Sequence, residues 1–257
     1  MSAAVEFNHK VHVLTKKEEL DTVRVGGKVV VVLDILFATT TMVAALAHGA
    51  REVIPVLDEA AARARHAEHP QDSCVLSGEL NAITLPGFAH PAPLALLEHG
   101  VEGKTLIYST TNGTVAMTHA GGAARVYCGA LLNARRLAEH IVASHPRETV
   151  LIVCAGSANN FNFEDFLGAG AFVERFASLL GAGADLSDAA RAALALYRAS
   201  TLPQALLDCR VGRMMARRGL ASEVEFACRV DAFPVLPVLD SGRLRLLSDT
   251  AGSRRTR

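Results

Sequence analysis

The feature that most constrains this chain is a recurring unit: a short run of Val, Ile and Leu, a turn of small polar residues, then an Ala-, Leu-, Glu- and Arg-rich segment with helical spacing. Lys28 to Leu33 leads into Thr40 to Ala47, and Glu52 to Leu57 leads into Glu59 to Ala67, a helix for which Asp58 is a suitable N-cap. Ser73 to Leu76 reads as a further strand. Lys104 to Tyr108 precedes Gly113 to His119, Ala124 to Cys128 precedes Ala134 to Ser144, and Thr149 to Cys154 precedes Glu164 to Leu180. Strands that are apolar throughout must be covered on both faces. The expectation is therefore an α/β fold of three layers, α/β/α, with a mostly parallel central sheet.

The chain has 257 residues, half of them hydrophobic, enough for one large core or for two intimately packed α/β lobes. Residues 1–250 are expected to form one compact unit, with any division into lobes near 85–103, because Leu85 to Pro93 is too rich in Pro and Gly for an element interior. Residues 251–257 read as a short, basic, flexible tail. Towards the C-terminus, helices are expected around Asp188 to Ala199 and Val211 to Arg218, and Val235 to Leu239 enters a hairpin through Asp240-Ser241-Gly242.

Charge narrows the ligand class. Lys and Arg balance Asp and Glu at 26 each, so no global field steers the chain onto nucleic acid or an anionic membrane, and an anionic small molecule must be held locally. The five cysteines, Cys74, Cys128, Cys154, Cys209 and Cys228, have no C-x-x-C spacing and suit a reducing compartment. The N-terminus lacks a basic segment followed by an apolar one, and no apolar run approaches bilayer length. A cytoplasmic location is the expectation.

In an open parallel sheet the ligand crevice lies at the carboxyl ends of the strands. Here each strand runs into polar or small residues: Asp34 and then Thr39-Thr40-Thr41; Ser77-Gly78-Glu79-Leu80-Asn81; Ser109-Thr110-Thr111-Asn112-Gly113-Thr114; and Ala155-Gly156-Ser157 with the acidic pair Glu164-Asp165 beyond. Hydroxyls and free N–H groups at helix starts bind oxyanions without net positive charge. Asp34, Glu79, Glu164 and Asp165 are the hard oxygen donors that Mg²⁺ prefers when it bridges carboxylate to substrate phosphate. Phosphoryl transfer is the reaction class this combination serves.

Each cluster also has a purely structural explanation. The threonines can cap a helix, Asn112-Gly113 can turn the chain, and Glu164-Asp165 can favour a first helical turn. That explanation is weakest at Asp34, because a charge directly after five apolar residues is costly unless compensated. Other motifs fall away. A haloacid-dehalogenase aspartate pair is absent, since Leu36 stands where the second aspartate belongs. Gly181-Ala182-Gly183 follows a helix instead of a strand, and His66 and His69 lack a third ligand.

With these residues the chain resembles the 2-phosphosulfolactate phosphatase family nearly end to end. The resemblance rests on Val32-Leu33-Asp34-Ile35-Leu36-Phe37-Ala38-Thr39-Thr40-Thr41, Gly78-Glu79-Leu80-Asn81 with Pro86-Gly87-Phe88, Thr110-Thr111-Asn112-Gly113-Thr114, Leu132-Asn133-Ala134, Val153-Cys154-Ala155-Gly156 and Phe163-Glu164-Asp165. It implies an α/β fold, a magnesium requirement, a homodimer or higher homo-oligomer, and hydrolysis of phosphate from 2-phospho-3-sulfolactate. On that basis Asp34, Glu79 and Asp165 are candidate catalytic residues, and Asp34, Glu79, Glu164 and Asp165 candidate metal ligands. Thr39, Thr40, Asn81, Thr110, Thr111, Asn112, Gly113, Thr114, Asn133 and Gly156 are candidates for binding substrate. Attack by water and a covalent step on Asp34 both remain open. Phe37 and Leu80 stand where the family pattern carries arginine, which removes donors suited to bidentate recognition of an anion. Three readings follow: a Mg²⁺-dependent phosphatase, an enzyme on the same scaffold with a less anionic substrate, and a catalytically silent binding homologue.

Overall fold

The computed structural model describes residues 9–247, and the basic tail lies outside them. In chain order the strands are β1 (His9–Leu14), β2 (Val29–Leu33), β3 (Glu52–Val56), β4 (Cys74–Leu80), β5 (Ile83–Thr84), β6 (Thr105–Ser109), β7 (Arg125–Gly129), β8 (Val150–Cys154), β9 (Ala184–Leu186), β10 (Pro237–Asp240) and β11 (Arg243–Leu246). The helices are α1 (Ala38–Ala47), α2 (Glu59–Ala67), α3 (Pro93–His99), α4 (Gly113–His119), α5 (Ala134–Ser144), α6 (Phe163–Leu180), α7 (Asp188–Ala199), α8 (Gln204–Asp208), α9 (Arg210–Arg217) and α10 (Ala221–Ala227).

The strands form one sheet in the order β5-β4-β6-β3-β11-β10-β7-β2-β8-β1-β9. It consists of two parallel blocks, β4-β6-β3 and β7-β2-β8-β1-β9, joined by the antiparallel hairpin β10–β11 that pairs with β7 on one side and β3 on the other, with the short β5 antiparallel on the β4 edge. The expected hairpin at Asp240-Ser241-Gly242 is thus the seam of the sheet.

The α/β reading holds, and its cause is visible in β2. All five residues are buried: Val29, Val31 and Leu33 join the core under α5, α6 and α7, while Val30 and Val32 join the opposite core with α1 and α4. Alternation of side chains across a strand places apolar residues on both faces only when both faces are covered. The second core also takes Leu106 and Tyr108 from β6, although β3, β11, β10 and β7 intervene between β2 and β6 in the sheet. The sheet therefore curls around α1 and α4, which brings the carboxyl ends of distant strands together.

Helix boundaries follow local chemistry. Asp58 caps α2 by accepting from the Ala61 N–H at 2.8 Å, and Ser187 caps α7 through Ala190. β4 runs further than its apolar start suggests, to Leu80, so Ser77 to Leu80 are strand residues and not the loop after one. Leu85 to Ala92 is a loop as expected, but Pro93 opens α3. Proline at a first helical position gives up an N–H that has no partner there anyway. The buried Cys128 and Cys154 thiols are raised well above their usual pKa by desolvation, as inert core groups are. Among the described residues no helix is long and apolar enough to cross a membrane.

Candidate active site

A cavity of about 310 Å³ opens where the chain leaves β2, β4, β6 and β8 and meets α9. Asp34, Glu79, Asn81, Thr110, Thr111 and Asn112 line it, together with Phe37, His90, Ser157, Asn162 and Arg210. Polar ends of four strands thus share one space.

Asp34 is fixed by the turn it opens. Its backbone N–H donates to Thr39 Oγ1 at 2.8 Å, and the Thr39 hydroxyl donates back to the Asp34 carbonyl at 3.0 Å. Its Oδ1 accepts from the Ala38 N–H at 3.4 Å, and Oδ2 faces Gly113, the first residue of α4. A Cβ on Gly113 would stand 2.5 Å from the Ala38 Cβ and 2.8 Å from Asp34 Oδ2, so only glycine admits this approach of α4 to the turn. Desolvation, and after it the charge on Glu79, raises the Asp34 pKa to about 7; the Ala38 N–H opposes this, Glu164 adds a smaller push upward, and Lys17 opposes least.

Glu79 holds two loops together. Its Oε1 accepts from the Thr111 N–H at 2.7 Å and its Oε2 from the Ala82 N–H at 2.5 Å. Asn81 and Ala82 both have positive φ, 55° and 61°, as a two-residue turn between β4 and β5 requires. Alanine is unfavourable there, and the charge-assisted bond from Ala82 to Glu79 offsets the strain.

Other candidates serve the framework. Asp165 accepts from the Ile35 N–H at 2.9 Å through Oδ1 and from the Gly156 N–H at 3.1 Å through Oδ2, stapling the Asp34 turn to the loop after β8. Desolvation raises its pKa, as it does that of the buried Glu164, and neither lines the cavity. Thr40 donates to the Ile35 carbonyl, and Thr114 and Thr110 exchange bonds at the start of α4. Asn133 ties Ala130, Cys128 and Val235 together. Thr39, Thr40, Gly113, Thr114, Asn133 and Gly156 do not line the cavity.

The structure also assembles groups the sequence left unassigned. Lys17 is buried, with Nζ 3.2 Å from both Asn112 Oδ1 and the Ala155 carbonyl, and it lies just beyond the carboxyl end of β1. The signal for it was the alternation of Val11 and Val13 with polar neighbours, a half-visible strand. Arg210 donates to Ser157 Oγ at 2.7 Å and Asn162 Oδ1 at 3.2 Å. Phe37 lines the cavity, whereas Leu80 is 58% exposed and does not.

Metal-holding capacity follows from the donors. Asp34 and Glu79 are the carboxylates on the cavity wall, and the described residues contain no group of three or more His, Cys, Asp or Glu disposed around a common metal position. Mg²⁺ commonly uses one or two carboxylates and completes its shell with water and substrate phosphate. The donor set suits that mode and not an all-protein cage.

Fold and cavity together define a three-layer α/β protein that receives a small molecule at the carboxyl ends of its strands. The family model described as 2-phosphosulpholactate phosphatase matches residues 14–242. The chain belongs to this family, and so to the phosphatases, enzymes that hydrolyse phosphoric monoesters. A protein of Caldanaerobacter subterraneus subsp. tengcongensis, named "Probable 2-phosphosulfolactate phosphatase", is 37% identical over 227 residues, covering 86% of this chain and 92% of the relative. Similarly named proteins of Symbiobacterium thermophilum (34% over 225 residues, 86% and 95% covered) and Deinococcus radiodurans (35% over 217 residues, 83% and 88% covered) are also similar.

Proposed function

We propose that this chain is a Mg²⁺-dependent phosphatase acting on a small phosphorylated acid of the 2-phospho-3-sulfolactate type. The observation that carries this reading is the pairing of Asp34 and Glu79 on one cavity with the hydroxyl and amide groups of Thr110, Thr111 and Asn112. A phosphate dianion entering beside two carboxylates is repelled unless a cation separates them.

Asp34 and Glu79 would hold the magnesium. Bound there, the ion supplies charge neutralisation for the phosphoryl oxygens and polarises the phosphorus towards attack. The protein's own part is to keep the two carboxylates in place. Glu79 is clamped by two backbone N–H groups, and Asp34 by the Thr39 exchange and by the Asp165 bond to Ile35. Thr111 and Asn112 orient the phosphoryl group. In the overall reaction water oxygen bonds to phosphorus, the ester P–O bond breaks, and the leaving oxygen takes a proton to give the hydroxy acid and inorganic phosphate.

Purified protein assayed with and without EDTA tests the reading. Phosphate release from 2-phospho-3-sulfolactate or a related 2-phospho acid, lost on chelation and restored by Mg²⁺, is expected. Undiminished release in EDTA would refute the metal role. Ligand-induced thermal stabilisation with no turnover of any phosphate ester would mark a silent binding homologue instead.

A further inference from the structure

The cavity has a wall that the chemistry of phosphate does not use. Val211, Met214 and Met215 of α9 stand at i, i+3 and i+4, so one face of that helix is turned to the cavity, and Phe37 and Leu220 extend it. Val211 and Met215 are each only 7% exposed. Methionine is flexible and polarizable, suited to closing on an apolar group of variable shape. At the start of the same helix Arg210 reaches the cavity and is held by two neutral oxygens, Ser157 Oγ and Asn162 Oδ1. Among the described residues no carboxylate lies within ion-pair distance of it, and the acidic side chain that feels its charge is the buried Glu164, which does not line the cavity. A guanidinium has five N–H donors, and these two contacts engage one terminal nitrogen, so the rest of the fork can receive a carboxylate.

We infer that the cavity takes the phosphate ester of a 2-hydroxy acid with an apolar side group, the carboxylate meeting Arg210 and the side group lying on the Phe37, Met214 and Met215 wall. For its phosphate this rests on the phosphatase reading above; for the acid and the apolar group it rests on the cavity alone. A sulfonate in place of the apolar group would lose its water against Phe37 and two methionines with no donor in return.

Two measurements separate the parts. In the first, calorimetry compares 3-phenyllactate, lactate and 3-phenyllactamide, none of which carries phosphate. Phenyllactate is expected to bind about tenfold or more tightly than lactate, from burial of the ring. Arg210→Gln is expected to abolish the preference for phenyllactate over its amide, and Arg210→Lys to keep part of it. Met214→Gln is expected to remove the preference for phenyl over methyl. Equal binding of lactate and phenyllactate, or an acid preference that survives Arg210→Gln, overturns the inference.

The second measurement is phosphate release from the 2-phospho esters of 3-phenyllactate and 3-sulfolactate with Mg²⁺. A higher kcat/KM for the phenyl ester supports the whole proposal. A higher value for the sulfo ester, with no phenyl preference in binding, removes the apolar subsite and leaves the phosphatase reading standing. Release from neither ester, with the binding preferences intact, removes the phosphatase reading and leaves the subsite.

Discussion

Replacing Asp34 by Asn in metal-free protein is expected to stabilise the fold, and to do so more as pH rises. The Asp34 pKa is lifted from 3.8 to about 7 by desolvation and by its acidic neighbours. The folded chain then holds this proton more tightly than the unfolded chain. Between those two values the native state binds more protons, so stability falls as pH rises; the cost is absent below the unfolded value and complete above the folded one. At about 1.36 kcal/mol per pKa unit the full cost is about 4 kcal/mol, and the part that develops above pH 5 is about 2–3 kcal/mol. Solvent in the open part of the cavity screens the charge and brings the observable towards the lower figure. Asparagine is nearly isosteric and keeps an oxygen for the Ala38 N–H, so it removes the charge with little else. Urea denaturation of both proteins in EDTA at pH 5 and pH 8 measures the difference. The advantage of Asp34→Asn should grow by about 2 kcal/mol between the two. An advantage that stays flat or shrinks with pH would refute the assignment of Asp34 as an uncompensated carboxylate. Adding Mg²⁺ at a hundred times its dissociation constant should then stabilise the parent alone, by about 2.7 kcal/mol.

Further expectations follow from single contacts. Glu79→Gln turns an amide N–H towards the Thr111 or Ala82 N–H, so it should lose about 1–3 kcal/mol in urea and abolish Mg²⁺-dependent stabilisation. Gly113→Ala puts a methyl 2.5 Å from Ala38 Cβ, and should cost about 1–3 kcal/mol and push α4 off the Asp34 turn, lowering kcat/KM for any turned-over ester.

The layered fold was legible because burial on both faces leaves a direct trace, as in Val29 to Leu33, and because caps such as Asp58 mark helix starts. Less visible were β1, whose polar residues alternate with Val11 and Val13, and α3, which begins at a proline that reads as a breaker. Polar strand ends were legible as a group, since topology alone sends them to one edge. Their division into lining and framework was not. Thr39 and Thr40 fold back onto carbonyls of their own turn, and Asp165 faces two backbone N–H groups, arrangements set by helix phase and not by residue type. Arg210 escaped because its partners Ser157 and Asn162 lie 53 and 48 residues away, and no local pattern announces contacts of that range. Phe37, where the family resemblance implies arginine, reads in the sequence as a missing anion contact; in space a cation from α9 reaches the same cavity.

If phosphate is removed in the cavity over Asp34 and Glu79, the reaction must depend on the Asp34 carboxylate. The most direct test is phosphate release from a 2-phospho acid in saturating Mg²⁺ by the parent and by Asp34→Asn, with folding of both checked by urea midpoint. A folded variant is expected whose kcat/KM has fallen by about three orders of magnitude or more, the scale of losing a principal electrostatic contributor to the transition state. A folded variant that releases phosphate at the parental rate would contradict it.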